Sequence, residues 1–472
     1  MEIEAMKKLL KNTDIRRRKF IDRYQISQRY YQNENDITRR NNGKSIVKED
    51  GNNDKKGPLR SADNRVSSNF HQLLVDQEAG YLATKPPTID VNDATINQKI
   101  INTLGDNFGL RLNELVIDSA NAGNGWLHYW LDADQQFRYG IVPPDQITPI
   151  YSSDLNRKLI ALRRTYDELN PDTGKQYSVH EYWTDKEVTV FKSEQSDYSD
   201  LEPFNNRFSI YDVSTGVETG QSNVYSHNFE RIPFICFPKN KYQIPDLLKY
   251  KGLIDVYDKV YNGFVNDIDD VQQVILILTN YGGEDFAEFM KNLKNFKAIK
   301  IDSTGTGDRS GVDKLTIDIP VEARNSLLDI TKSNIFVHGQ GIDPTDFETN
   351  NATGEAIKML YSHLELKAAK TEAYFRDAIT ELIRAIMKWL NITDANSRQI
   401  TQKWTRTAIQ NDLEQAQIVT QLANYSSKEA VAKANPIVED WQQELKDQQS
   451  DQLKRVDDFA NGKELDKLDE NE

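Results

Sequence analysis

Two stretches of the chain repeat apolar residues at helical spacing well beyond the length of an ordinary helix. In the first, Leu247, Tyr250, Ile254, Tyr257, Tyr261, Phe264, Ile268, Val271, Ile275 and Leu278 fall on one stripe. This predicts a helix over 246–282, stopped at Gly282-Gly283. At ~1.5 Å per residue it would be ~50 Å long. In the second, Ile357, Leu360, Tyr361, Leu364, Ala368, Thr371, Phe375, Ala378, Leu382, Ile386 and Leu390 align in the same way. Thr353 is its expected N-cap, and Glu355 suits the first turn. Average helices are about 11–12 residues. Helices this long imply an elongated α+β subunit in which they pack along neighbouring helices rather than inside one small globule.

The segment between them is the chain's sharpest break in pattern. Residues 283–320 read as a short excursion: a helix (Asp285–Phe296), a strand ("KAIKID"), a Gly-rich turn ("STGTGDRSG") and a second strand ("DKLTIDIP"). A medium helix follows at about Val321–Val337. Then comes "GQGIDPTDFETNNATGEA", Gly339–Ala356, with four carboxylates (Asp343, Asp346, Glu348, Glu355) and no lysine or arginine. A long polar loop between strongly patterned helices is either functional or a failed assignment.

Upstream, residues 1–40 carry helical spacing amid the basic run Arg16–Lys19. Interleaved acids favour a solvated helix face over a nucleic-acid patch. Residues 41–62, rich in Asn, Gly, Lys and Asp, read as an exposed loop. Three helical pieces follow between 64 and 122, the first stopped by Pro86-Pro87. The period then changes to two: "GWLHYWLD", "QFRYGIVP", "KLIALRRTYD", "QYSVHEYWT" and "EVTVFKS" alternate apolar and polar residues, predicting an antiparallel sheet. A strand-like "RQITQKWTRTAI" follows the second long helix. Helices at about 411–424, 428–434 and 437–459 precede an acidic tail.

The bulk numbers exclude several functions. The 472-residue chain has a net charge of −14, the wrong sign for gripping nucleic acid over most of its surface. Its hydrophobic content of 38% and charged content of 28% suit an elongated subunit with much surface in an assembly. One cysteine, Cys236 in "IPFICF", rules out a disulfide framework and reads as a buried core residue. The N-terminal "MEIEAMKKLLKN" lacks the apolar core of a secretory signal, and "VILIL" falls far short of a membrane span. These features suggest a soluble protein made in a reducing cytoplasm. The turn Gly305–Gly311 fits neither phosphate-binding glycine motif. The six histidines show no paired-ligand spacing. The one enzymatic candidate is "NDIDD", where Asp267, Asp269 and Asp270 could hold metal ions for phosphodiester hydrolysis. On a helix 269 points away from 267 and 270, so a solvated acidic stripe is the favoured reading. No catalytic residue, metal site or cofactor is expected.

The ordered set of segments resembles the bacteriophage portal protein family, of the type found in siphoviruses of Gram-positive hosts. The resemblance covers nearly the whole chain. It is carried by Asn64–Thr88 with its "GYLATKPPT" ending, by Ile141–Tyr166, by "HNFERIPFICFPKNK" before the first long helix and, most specifically, by Tyr257–Lys300. The polar stretches 41–62 and 193–228 follow no family pattern. The resemblance implies a dodecameric ring at one capsid vertex, with double-stranded DNA passing through its channel for packaging and ejection. Residues 1–245, with the strand at 397–409 returning to them, would be an antiparallel β wing, and helices 246–282 and 321–338 the stem. Residues 283–320 would be a small α/β clip, 339–356 the tunnel loop, 357–396 the long wing helix and 410–472 a helical crown with an acidic tail. Asp343, Asp346, Glu348, Thr349, Asn350, Asn351 and Thr353 would face DNA from the loop, and Asp255, Asp258, Asp267 and Asp270 would line the stem channel. Glu288, Lys291, Lys294, Asp308 and Arg309 would meet clip partners. Implied partners are the terminase large and small subunits, head-completion and adaptor proteins, and major capsid and scaffold proteins. The implied location is the portal vertex of the virion, after assembly in the host cytoplasm. Alternatives from other classes are a metal-dependent nuclease and a capsid-interior scaffold or adaptor.

Overall fold

The computed structural model describes residues 1–39, 62–171, 173–211, 218–271, 275–279, 311–315, 320–345, 354–407, 420–421, 425–435, 438 and 441–460. The chain divides into two units, Met1–Asp346 with Tyr361–Arg406, and Phe347–Leu360 with Thr407–Glu472.

The first unit opens with α1 (Ile3–Tyr31), whose buried side carries Met6, Leu10, Tyr24 and Tyr30. Its first turns seat Met6 and Leu10 against Phe191 and Leu201 of the sheet. Residues 62–69 do not join the next helix as the pattern predicts. They lie against a later helix, because Asn262 and Asp258 there accept from the backbone N–H groups of Val66 and Ser68. Helix α2 (Phe70–Ala83) starts only after these bonds end. Helix α3 (Ala94–Leu104) is capped by the Asp93 carboxylate, which accepts from Thr95 and Ile96. Helix α4 (Phe108–Ala122) ends at Gly123, whose φ of 90° is left-handed. A Cβ there would collide with the Gln243 backbone, so the turn requires glycine.

The alternating region folds into antiparallel ladders. β2 (Asn124–Leu131) lies between β3 (Phe137–Val142) and β12 (Phe234–Pro238). β4 (Ile147–Tyr151), β5 (Leu159–Leu169), β6 (Gln176–Trp183) and β7 (Glu187–Ser193) meander, with β11 (Val224–Ser226) and the two-residue β8 (Glu202–Pro203) against β7. β9 (Phe208–Tyr211) pairs with β10 (Glu218–Ser222). A core of Trp126, Val142, Ile147, Leu162, Ile232 and Phe234 joins the two larger sheets. Cys236 packs beside it, and burial pushes its thiol up to about 12. β1 (Thr88–Asp90) pairs with β15 (Thr401–Lys403), a shorter strand than the 398–409 pattern suggests.

The first long helix is shorter than its stripe. Helix α5 (Lys251–Val271) has 21 residues, or ~32 Å, and follows a separate turn at Asp246–Lys249. Ile275 and Leu278, placed by periodicity on its apolar stripe, belong instead to β13 (Ile275–Thr279). This strand pairs antiparallel with β14 (Gly311–Leu315), Ile275 opposite Leu315 and Thr279 opposite Gly311. A five-residue apolar run reads equally well as helix or strand, and the distant partner decides it. The excursion after α5 therefore begins by about 275 rather than 283. The expected helix 285–296, strand 297–302 and most of the turn lie outside the described residues, as does all of the expected loop 41–62 except Ala62. Helix α6 (Val321–Gly339) matches its pattern, and α7 (Gly354–Trp389) starts three residues before Ile357. In the second unit, α8 (Lys428–Ala434) carries Ser427 as N-cap, and α9 (Trp441–Ala460) follows. Among the described residues no helix is long and apolar enough to cross a membrane.

Two interior features hold the first unit together. Tyr30, Leu74, Leu247, Tyr250, Ile254, Ile335 and Phe336 form one apolar cluster from α1, α2, α5, α6 and the turn before α5. Beside it lies a buried charge network. Glu78 and Asp246 are 0% exposed, and Lys239 and Lys367 are 3% exposed. Lys239 contacts both acids, reaching Asp246 at 3.3 Å. Lys367 lies 3.1 Å from Glu78 and 3.4 Å from Asp246. Thr371 donates to Glu78 at 2.7 Å, and Lys367 to the Leu74 carbonyl at 3.2 Å. Burial alone would raise both carboxyl pKa values, but the two lysines hold them below the usual range. Removing one partner leaves an uncompensated buried charge, so Lys367→Met should cost about 3–5 kcal/mol. Urea unfolding checks this, and Glu78→Gln in the same chain should recover part of the loss.

Burial also pushes His71, His128 and His180 from 6.5 to about 4. Between those values only the unfolded chain takes up their protons, so stability falls as pH drops from 6.5 towards 4. Asp118, pushed up to about 7 by burial, with Glu114 and Asp145 adding to it, works in the opposite direction and offsets about one histidine. The thermal midpoint should therefore decline between pH 6.5 and 4.5, and His71→Asn should flatten the decline.

Candidate functional site

The described part of the acidic loop is its root, and it is firmly held. Helix α6 ends at Gly339, and Gln340 follows with a left-handed φ of 54°. The chain closes the helix end with bonds from Gln340 N–H to the Val337 carbonyl (3.2 Å) and from Gly341 N–H to the Phe336 carbonyl (3.0 Å). Both glycines press on Leu74 of α2: a Cβ at Gly339 would meet its methyl carbon at 2.5 Å, and one at Gly341 would overlap it. The spacing "GQG" thus serves close approach to α2 as well as the turn. One residue on, the Gln77 side chain brackets the backbone, accepting from Ile342 N–H at 2.9 Å and donating to its carbonyl at 2.7 Å. Ile342 itself is buried.

Asp343 is the first of the loop's carboxylates, and it is engaged within the chain. Lys332 of α6 lies 2.9 Å from it. The Thr345 N–H and hydroxyl donate to it at 3.0 and 2.8 Å. Burial would raise its pKa, but these hydrogen bonds and the lysine charge hold it below the usual value. Its charge is therefore locally compensated. Asp346, Glu348, Thr349, Asn350, Asn351 and Thr353 lie outside the described residues, as do the five clip residues Glu288, Lys291, Lys294, Asp308 and Arg309.

Of the four acids expected to line a stem channel, Asp258 needs correction. Asp258 is 1% exposed and cannot line a channel. It accepts from the Ser68 N–H at 3.0 Å, the Ser68 hydroxyl, and Asn35 at 2.7 Å, and burial raises its carboxyl pKa. Its role is to anchor residues 62–69. Asp255 accepts from the Tyr30 hydroxyl and from Lys251 at 2.8 Å. Asp267 is paired with Arg324 of α6, whose guanidinium stacks 5.4 Å from the Phe264 ring. Asp270 is helical, with its side chain outside the described residues. Within "NDIDD", Asp269 accepts from the Asn64 amide. Among the described residues, no group of three or more His, Cys, Asp or Glu could hold a metal ion.

Sequence reasoning missed Gln77 and the glycine contacts with Leu74, because a side chain that serves a distant backbone leaves no periodic signal. Lys367 did leave one: it stands one turn from Leu364 and Thr371, within the apolar face of α7.

Residues 11–456 match the family described as phage portal protein, SPP1 Gp6-like. A portal protein of Clostridium phage phiCD119 is 36% identical over 453 residues, covering 93% of this chain and 94% of that protein. The portal protein of Bacillus phage SPP1 is 30% identical over 435 residues, covering 88% and 81% respectively. Among solved structures, a chain in the neck of an empty GTA particle matches with a TM-score of 0.44 and 10% identity, over 78% of this chain and 90% of that one. That likeness is too distant to carry argument.

Because a methyl group at 341 must displace Leu74, Gly341→Ala should destabilise the first unit by about 1–3 kcal/mol. Gln77→Ala should cost less globally, but it should raise amide exchange at Ile342 by more than at core positions. Hydrogen exchange read by mass spectrometry separates the two effects.

Proposed function

The chain belongs to the SPP1 Gp6-like phage portal protein family, and from that premise we propose how its parts divide the portal function. The family is structural, and its members are components of the phage particle. On our reading, copies of this chain close into a ring of twelve at one capsid vertex, and double-stranded DNA passes through the channel. The α5–α6 pair forms the stem, and the acidic loop forms the constriction. The excursion after α5, from about 275 to 320, offers itself to the terminase subunits and later to head-completion proteins. The wing faces capsid and scaffold proteins.

The observation that carries the ring is the uncovered apolar surface of α5 and α6. Tyr261 and Ile268 are seven residues apart on α5, and Leu327, Ile330 and Val337 share a face of α6. All five are between 40% and 59% exposed. Full burial of such a side chain is worth about 1.5–3 kcal/mol. Two parallel apolar stripes on paired helices suit head-to-tail packing against neighbouring copies, which closes when the rotation permits.

The loop supports the passage of DNA. A sliding duplex must not be held by lysine or arginine contacts, since each adds counterion-release affinity. Residues Gly339–Ala356 contain none. With Asp343 paired and Asp255, Asp258 and Asp267 engaged inside the subunit, the repulsive charge of a constriction rests on Asp346, Glu348 and their symmetry mates. Nothing in the geometry favours the nuclease or scaffold alternatives, since Asp267 and Asp269 already have partners.

Negative-stain microscopy and native mass spectrometry test the division. Wild-type protein should form closed rings with a central hole. Ile330→Asp with Val337→Asp should leave folded monomers by circular dichroism. Shortening residues 346–352 should preserve rings while reducing packaged DNA at least severalfold. Rings that survive the double charge substitution would remove the stem interface, and rings lost on loop shortening would make the loop an assembly element.

A further inference from the structure

The basic run of α1 has a structural setting that its sequence did not suggest. Arg16, Arg17 and Arg23 line one wall of a cavity of about 510 Å³. Arg157, from the loop between β4 and β5, and Lys241, from the turn after β12, line the rest of its rim. No carboxylate lines the cavity. Its remaining surface is largely aromatic, with Phe20, Trp126, Tyr151 and Tyr242.

Several other arginines of the first unit are paired with carboxylates. Arg164 sits 3.7 Å from Glu181, Arg207 3.2 Å from Glu168, and Arg398 3.0 Å from Asp394. Among the described residues, none of the five cavity cations has a carboxylate within ion-pair distance. Arg157 lies over the Tyr151 ring at 5.6 Å and Lys241 over Tyr242 at 5.8 Å. Arg17 donates to the Asp145 carbonyl at 3.2 Å, and its Nε is buried without a hydrogen-bond partner. Asp14, the acid nearest Arg16 and Arg17 in sequence, is turned away onto Arg163 at 3.5 Å and the Tyr198 hydroxyl at 2.7 Å.

We propose that this cavity docks a short acidic peptide segment of a protein partner, one that carries an aromatic or aliphatic side chain among its carboxylates. Five unpaired cations around an aromatic floor present charge-assisted donors at the rim and apolar surface below. The cavity has room for a few side chains. A nucleic acid fits it less well. A long polyanion extends past the cavity onto a chain with a net charge of −14, whereas a short acidic segment keeps its charge within about one Debye length, ~10 Å, of the five cations. The inference rests on the pocket's composition and not on the portal reading.

The probe is a fluorescein-labelled octapeptide of seven glutamates and one central phenylalanine, titrated against full-length protein by fluorescence anisotropy. Binding at 50 mM salt should weaken at least tenfold at 300 mM. Arg157→Glu with Lys241→Glu should also weaken it at least tenfold. Both residues are exposed, so folding is expected to survive, with circular dichroism as the check. If that pair fails to fold, Arg16→Gln with Arg157→Gln replaces it and should weaken binding at least threefold. Replacing the phenylalanine by glycine should weaken binding at least threefold. Rings should persist in the variants, which keeps this outcome separate from that of the portal reading. Absence of peptide binding would overturn the proposal. So would equal binding by wild type and variant, or tighter binding of a 20-base-pair duplex through the same residues.

Discussion

Two carboxylates and two ammonium groups, removed almost wholly from water, set the geometry of the first unit. Glu78 comes from α2, Lys239 from the end of β12, Asp246 from the turn before α5, and Lys367 from α7. Each charge is too costly to bury alone, so the four segments must meet together or not at all. Such a network contributes more to uniqueness than to net stability, because packed apolar residues could fill the same space. Its consequence reaches the acidic loop. Lys367 also holds the Leu74 carbonyl, and Leu74 and Gln77 lie within one turn of Glu78. These are the residues that grip Gly339, Gly341 and Ile342. The position from which the loop departs is therefore set by a charge balance on the other side of α2.

Much of this was readable from the chain, and the failures share a cause. The α6 helix, the α7 stripe and the alternating strands are local signals, and they survive nearly unchanged. The strand at 275–279 does not, because an apolar pentapeptide carries no period of its own and β14 lies more than thirty residues away. Asp255 and Asp258 look alike as acids on an amphipathic helix. Only the extended segment 62–69, whose backbone donors need acceptors, decides that Asp258 is interior. The same holds for Gln77, whose amide serves a backbone 265 residues along the chain.

The correction to Asp258 changes how the net charge of −14 should be understood. On α5, acids act chiefly as acceptors and ion-pair partners for their own subunit: Asp255 for Tyr30 and Lys251, Asp267 for Arg324. They stiffen the α5–α6 pair and its contact with α1. They leave less free anionic field along α5 than a count of carboxylates suggests.

Charge on this chain is thus sorted rather than spread. Five cations without a carboxylate partner line one concave aromatic pocket beside α1, while the loop that follows α6 carries carboxylates and no cation. Asp343, at the loop's root, is neutralised by Lys332 and helps fasten the backbone to α6. A root held by packing and hydrogen bonds fixes where the loop begins without lending it attraction for phosphate. If free charge sat at the root, the loop's charge and its attachment would depend on the same residue, and any pH or salt change that weakened one would weaken the other. Separating the two lets salt screen the outer carboxylates, over about 10 Å at 0.1 M, while the glycine contacts and the Gln77 bracket, which carry no net charge, keep the root in place.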